Sequence, residues 1–336
     1  MNAKQEQKKY KITTDDGDIV EAIQPVVISA SRSTDIPAFY AEWFINRLLR
    51  GYVKWINPFN QKPLYVSFAK TRCIVFWSKN PKPLIPFLSE LDARGINYYF
   101  QFTVNDYERE KLEPNVPPLS QRIETFRQLS ERIGKKRVIW RFDPLILTED
   151  LSVNQLLDKV SRVAEKIYPF TERLVFSFAD ISSYKKVCNT LKRENIQYKE
   201  FAPELMLKIA EGIHRLNKNW GLTITTCAET INLEAYGIER NRCIDDRLMI
   251  ELFKHDFELM RFLKYEENLF SENSVPYLKD KGQREECGCI ASKDIGMYNT
   301  CSHLCAYCYA NTSQKTVEVN IKKHNYDSDS IINNIQ

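Results

Sequence analysis

From about residue 24 to residue 230, short β-branched and aromatic runs alternate with longer amphipathic stretches, and this alternation constrains the fold more than any other feature. Strands separated by helices pair in parallel, each helix crossing one face of the sheet. Strands are expected near 26–31 (VVISAS), 73–78 (CIVFWS), 97–104 (NYYFQFTV), 137–142 (RVIWRF), 173–179 (RLVFSFA) and 222–227 (LTITTC). The helices between them have boundary signals of their own. Pro37 can open a helix after Asp35, with Phe39, Trp43, Phe44 and Leu48 as its apolar stripe and Gly51 as its stop. Ser152 and Gln155 have capping-box spacing ahead of Leu156, Leu157, Val160, Val163 and Ile167. Gly134 and Gly221 stand where helices near 120–133 and 203–219 should end. Six such strands come close to a barrel, so the expected class is α/β: a parallel βα barrel or a partial, TIM-like one.

Around this barrel-like domain, placed at 25–263, four further segments are expected. Residues 9–23 alternate about Asp16-Gly17, which predicts an accessory N-terminal hairpin within 1–24. A charged connecting loop spans 264–286, a cysteine-rich segment 287–320, and a flexible tail 321–336. The N-terminus has basic residues but no following apolar stretch, and no run of 18 apolar residues occurs, so neither a signal peptide nor a membrane span is expected. A cytoplasmic location follows as an expectation, and in that reducing compartment nine cysteines point to metal or redox chemistry rather than disulfides. The net charge of +4 is too small to mark a nucleic-acid binder by itself.

In a parallel barrel the active site gathers at the C-terminal ends of the strands. Here those ends are polar: Ser31, Arg32 and Asp35; Ser78, Lys79 and Asn80; Gln101, Thr103 and Asn105; Arg141 and Asp143; Ser177 and Asp180; Cys227 and Glu229. Arg32, Asp35, Lys79, Gln101, Arg141 and Asp143 are the candidate site residues. Any one of them also has a structural reading. Asp35 suits the start of the helix at Pro37, paired there with Arg32, and Asp143 suits the turn at Pro144. Arg141 lies inside a strand, where its charge demands a carboxylate partner across the mouth.

Residues 287–308, CGCIASKDIGMYNTCSHLCAYC, hold five cysteines in 22 residues. Cys301, Cys305 and Cys308 have the spacing C-x3-C-x2-C. Three thiolates suit three irons of a 4Fe-4S cluster and leave the fourth iron open to a cofactor. The competing reading is structural zinc, although zinc sites usually pair two C-x2-C knuckles and only Cys305 and Cys308 have that spacing. His303, inside the x3 gap, reads as a loop residue. Cys227, Cys243, Cys287 and Cys289 together make a four-thiolate set suited to an auxiliary cluster or zinc. Cys73 and Cys188 read as small buried hydrophobes.

The C-x3-C-x2-C spacing with Tyr307 before its last cysteine resembles the signature of radical S-adenosylmethionine enzymes. That resemblance implies that S-adenosyl-L-methionine chelates the open iron and is cleaved reductively to a 5′-deoxyadenosyl radical, with Tyr307 along the adenine. It also implies a reducing partner such as a flavodoxin or ferredoxin. The motif normally follows the first barrel strand, so its C-terminal place implies a circularly permuted order, with residues 290–300 as the strand that completes the sheet begun near residue 26. Across most of 26–320, the segments ISASRSTDIPAFYAEWF, CIVFWSKNP, YFQFTVNDYE, RVIWRFDPLI, TTCAE, CIDD and CGC…DIGMYNTC…C…CYAN resemble the bacterial family called domain of unknown function 1848. That family is described with a radical S-adenosylmethionine-like cysteine cluster and a distant likeness to spore photoproduct lyase, and its name supplies no substrate.

Ten glycines form neither G-x-G-x-x-G nor a P-loop, and H-E-x-x-H and G-x-S-x-G are absent. The leading expectation is thus an iron–sulfur enzyme acting on an unknown substrate. The alternative is a non-catalytic iron–sulfur or zinc protein that senses redox state or binds nucleic acid through basic runs such as Lys185-Lys186 and Lys192-Arg193.

Overall fold

The computed structural model describes residues 9–265 and 278–333. Its centre is a sheet of eight strands: β1 (Val27–Ala30), β2 (Cys73–Ser78), β3 (Asn97–Thr103), β4 (Val138–Leu145), β5 (Arg173–Phe178), β6 (Thr223–Thr226), β7 (Ile238–Arg240) and β8 (Lys293–Asp294). All seven pairings are parallel, in the order β7-β6-β5-β4-β3-β2-β1-β8. The six expected strands therefore form, in chain order, and β8 joins beside β1 although it comes last in the chain. Lys293 aligns with Ile28 and Asp294 with Ser29. Of the 290–300 segment expected as a strand, these two residues pair with β1, and Ile290 forms an isolated antiparallel bridge with Lys279.

The helices follow their sequence signals. Asp35 caps Ile36–Phe39 by accepting from Ala38 N, and Ala41–Arg50 stops at Gly51, whose φ of +86° suits a residue without a side chain. Ser152 and Gln155 form the capping box of Val153–Ile167. Leu119–Ile133 ends at Gly134 (φ +92°), and Pro203–Asn217 is followed by Gly221 (φ +65°).

Strand side chains alternate between two faces. One face, with Ile74, Phe76, Phe100, Phe102, Trp140, Phe142, Leu174 and Phe176, is buried with the residues of the crossover helices. The other, with Val27, Val75, Tyr99, Ile139 and Val175, packs against Leu248, Met249 and Phe253 of Asp246–Phe253 and Leu259, Met260 and Leu263 of Phe257–Leu263. Both faces being buried explains the nearly unbroken apolar strands.

A closed barrel is not formed. Among the described residues no ladder joins β7 to β8, which are only three and two residues long. Instead Ile290 N donates to Ile244 O at 3.1 Å, so two cysteine-bearing loops meet there by a backbone hydrogen bond.

The expected hairpin forms from Tyr10–Thr13 and Ile19–Ile23, and it extends into a four-stranded sheet with Pro63–Ser67 and Tyr52–Ile56, strands the sequence pattern did not reveal. This sheet braces the edge of the main one: Trp55 donates Nε1–H to Gly296 O at 2.9 Å, and Lys293 Nζ lies 3.0 Å from the Trp55 ring centroid. The segment beyond Ile321, expected as a flexible tail, is anchored as far as it is described. Trp43 Nε1 donates to Ser328 O at 2.8 Å, Lys54 N to Asp329 O at 2.7 Å, and Ile331 is buried. Of the expected connecting loop, residues 266–277 lie outside the described residues. No helix among those residues is long and apolar enough to cross a membrane.

Candidate functional site

Period-two alternation, applied to the strand register, puts Trp77, Gln101, Arg141, Asp143, Ser177 and Cys227 on the same face as Val75, Tyr99, Ile139 and Val175, at the C-terminal ends of the strands. The cross-strand pairs Trp77–Gln101 and Thr103–Arg141 fix the register. The candidate residues divide between two groups of thiols.

The first group is the Cys301–Cys308 loop. Its three cysteines are free, and burial pushes all three thiols above their ordinary range, Cys301 to about 12 with Cys308 and Asp35 adding to the effect. Asp35 is saturated. It caps its helix and accepts from Ser78 Oγ and Lys79 N, each at 2.7 Å, and it pairs with His303 Nε2 at 2.8 Å with both side chains buried. His303, expected as a plain loop residue, thus fastens the cysteine loop to the first βα unit. Asp35 pairs with His303 rather than with Arg32 as expected.

Lys79 donates to Glu113 Oε1 at 2.7 Å and to Tyr307 Oη at 2.9 Å; Tyr307 donates to the same carboxylate, and Asn105 Nδ2 reaches it at 3.0 Å. Arg122 lies 3.7 Å from the other Glu113 oxygen. Burial would raise the Glu113 carboxyl, but Lys79 and Arg122 outweigh it and hold it at about 2. The Tyr307 ring lies edge-on to Tyr107, with centroids 6.3 Å apart. Sequence reasoning missed Glu113, which follows Leu112 in a stretch without periodicity. Its one signal was a carboxylate just before a proline-flanked turn.

The second group is Cys227, Cys243, Cys287 and Cys289, which come from three separate loops. Cys227 Sγ and Cys243 Sγ are 3.5 Å apart, and Cys289 contacts both Cys243 and Cys287. Arg141 Nη1 and Asn241 Nδ2 each donate to Cys243 Sγ at 3.0 Å, and Ile244 N donates to Cys289 Sγ at 3.4 Å. Gly288 lets the CGC turn close in: a Cβ there would lie 2.8 Å from Asn241 O. Contact with Cys243 lowers the Cys227 thiol to about 7 against burial, helped by the charge of Arg141.

Around these thiols, Gln101 Nε2 donates to Cys243 O at 2.9 Å and its Oε1 accepts from Arg141 at 3.1 Å. The carboxylate partner expected for Arg141 is Asp143 at 2.6 Å, two residues along the same strand rather than across the mouth. Asp143 also accepts from Ser177 Oγ. Arg32 and Arg141 each lie 5.1 Å from the Trp77 ring centroid. The buried Arg32 Nη2 and Trp77 Nε1 atoms find no hydrogen-bond partner among the described residues, so donors are left over where the strands end. The Glu229 carboxyl is pushed up to about 7 by burial, against a hydrogen bond from Phe178 N at 2.8 Å.

Asp294, the other residue sequence reasoning missed, joins the two ends of the chain. It accepts from Ser29 Oγ (2.9 Å), Ser31 Oγ (2.7 Å), Ser33 Oγ (3.2 Å), Arg32 N (2.8 Å) and Gly296 N (2.9 Å). Among the described residues no three His, Cys, Asp or Glu side chains are already gathered as the shell of a metal ion. The irons of a cubane stand apart from one another, so its thiolates spread more widely than such a shell. Three free, half-buried thiols on one loop fit that donor set.

Residues 27–310 match the model of a family described as "Domain of unknown function (DUF1848)". No curated protein matches the chain. Among solved structures, one similar chain is a candidate alpha-L-fucosidase from Bacteroides thetaiotaomicron, 10% identical over 59% of this chain and 75% of that one, with a TM-score of 0.24. So distant a likeness says nothing of fold or activity here.

Proposed function

Since the chain belongs to the domain of unknown function 1848 family, whose name assigns no activity, we propose from its own strand ends that it is a radical S-adenosylmethionine-type iron–sulfur enzyme. One observation supports the reading above the rest. β8, the last strand in the chain, pairs in parallel with β1, so the loop with Cys301, Cys305 and Cys308 leaves the sheet at the end where the polar residues gather. The enzyme is then a permuted, open version of the barrel common to such enzymes, with the cluster strand moved from the start of the chain to its end.

Cys301, Cys305 and Cys308 would hold a 4Fe-4S cluster, which with S-adenosylmethionine supplies an electron and a hydrogen-abstracting radical. The remaining chemistry falls to this chain's own side chains. Lys79 and Glu113 fix the Tyr307 hydroxyl and so hold the loop between its second and third cysteines. His303, clamped by Asp35, holds it between the first and second. Arg32 and Trp77 offer unpartnered donors to a polar ligand, while Gln101 and Arg141, both buried, form a dry wall beside them.

The test is anaerobic reconstitution with iron and sulfide, followed by reduction in the presence of S-adenosylmethionine. We expect about four irons per chain on this loop, formation of 5′-deoxyadenosine, and loss of both in the Cys301→Ala/Cys305→Ala/Cys308→Ala variant. A loop that binds iron yet yields no 5′-deoxyadenosine would overturn the enzymatic reading.

A further inference from the structure

We infer that Cys227, Cys243, Cys287 and Cys289 form a second metal site, separate from the C-terminal loop, that takes one thiophilic divalent ion of the zinc class. Three independent features of the packing point there. The first is convergence. The end of β6, the loop after β7 and the CGC turn are far apart in sequence, yet their thiols make a continuous row of contacts from Cys227 through Cys243 and Cys289 to Cys287. All four are free cysteines.

The second feature is the hydrogen bonding at sulfur. Cys243 Sγ accepts from both Arg141 and Asn241 at 3.0 Å, and Cys289 Sγ accepts from Ile244 N at 3.4 Å. Sulfurs surrounded by N–H donors are arranged for the thiolate, the form that binds metal, and such donors are the usual outer support of a metal–thiolate centre. The third is charge. Four thiolates on a divalent ion leave a net charge of two minus in the interior, which needs cations nearby. Arg141, which donates to Cys243 Sγ, supplies part of one, since Asp143 shares its charge. Arg32 supplies the other: among the described residues it has no carboxylate at ion-pair distance, its Nη2 lacks a hydrogen-bond partner, and it lies against Trp77 beside this set.

Spacing selects a single ion over a cubane. Zinc–sulfur bonds of about 2.3 Å place tetrahedral sulfurs roughly 3.8 Å apart, close to the 3.5 Å between Cys227 and Cys243. A cubane would hold its thiolates further apart. The sulfurs lie in a row rather than a closed shell, consistent with the lack of a ready-made ion shell among the described residues. The site stands whether or not the C-terminal loop holds a cluster.

Metal analysis of the full chain with Cys301, Cys305 and Cys308 replaced by serine separates the two sites. About one zinc per chain is expected, falling at least tenfold when Cys287→Ser and Cys289→Ser are added. Retention of zinc in that second variant, or iron in place of zinc in the first, would overturn the inference. Because the combined variant could misfold, thiol alkylation of the unmodified protein under reducing conditions is read in parallel by peptide mass spectrometry. Cys227, Cys243, Cys287 and Cys289 should resist labelling until zinc is chelated, while the partly exposed Cys188 reacts throughout. Labelling of the four at the Cys188 rate before chelation, or a disulfide between Cys227 and Cys243 before reduction, sinks the proposal.

Discussion

At the scale of single residues, Glu113 shows how the site is stabilised and why it was hard to see. It is a buried carboxylate between Lys79 and Arg122, with Tyr307 and Asn105 as further donors. Its value of about 2 lies below the ordinary 4.5, so its contribution is complete above about pH 4.5 and is lost as pH falls through about 2. That difference corresponds to about 3 kcal/mol. Glu113→Gln leaves the half-buried Lys79 without its carboxylate and the buried Arg122 with Glu108 alone at 3.9 Å, so at pH 7 the variant should be less stable by about 3 kcal/mol. Urea unfolding at pH 7, 4 and 3 checks this: the gap between parent and variant should narrow as pH falls. A gap that stays constant would remove the ion pairs from the account. The candidates named from sequence were those at strand ends, where a topological rule applies. Glu113 and the His303–Asp35 pair were hidden because the partners that tie them to the cysteine loop, Lys79 and Tyr307 for Glu113 and Asp35 for His303, lie 34, 194 and 268 residues away, which no local pattern encodes.

At the scale of elements, strands were legible in proportion to their burial. β1 to β6 are dense in β-branched and aromatic residues because both faces are covered, and their bounds agree with expectation to within a few residues. β7 was not legible as a strand, and β8 was expected only through the resemblance, within 290–300, both being too short for periodicity to register. What holds β8 in place is Asp294 and a close approach at Gly296, where a Cβ would fall 1.9 Å from Ser31 Oγ and 2.6 Å from Ser31 Cβ. Gly296→Ala should therefore push β8 off β1, lowering stability by about 1–3 kcal/mol. Hydrogen exchange should be faster at Ile295, whose N–H bonds Ser29 O at 3.1 Å, while amides of β3 and β4 keep their protection. Unchanged exchange at Ile295 would mean the edge tolerates the methyl group and that Gly296 is incidental.

For the molecule as a whole, the chain returns to where it began, and this return both fixes the cysteine loop and packs the described part of the expected tail against the first helices. The loop is held on its N-terminal side by β8 and on its C-terminal side by the helix Gln314–Ile321 and the segment after it. That segment covers Ala41–Arg50: Trp43 and Asn46 donate to Ser328 O and Tyr326 O, while His324 meets Tyr40 edge-on at 4.9 Å. Tyr40 in turn donates to Thr300 O at 2.7 Å, next to Cys301. Polar composition disguised this anchoring, because most of its bonds come from backbone carbonyls, which are the same in every sequence. Ending the chain after Ile321 removes the buried Ile331 and Ile332, worth about 1.5–3 kcal/mol each when fully buried, and uncovers Trp43. Tryptophan emission should shift to the red and the midpoint of thermal unfolding should fall. If the return also positions Tyr40 against Thr300, the truncated chain should lose iron from its C-terminal loop faster under chelation than the full chain, while zinc held by the second thiol set leaves at an unchanged rate. Equal loss of both metals would instead indicate general loosening, and equal retention would show that β8 alone suffices to hold the loop.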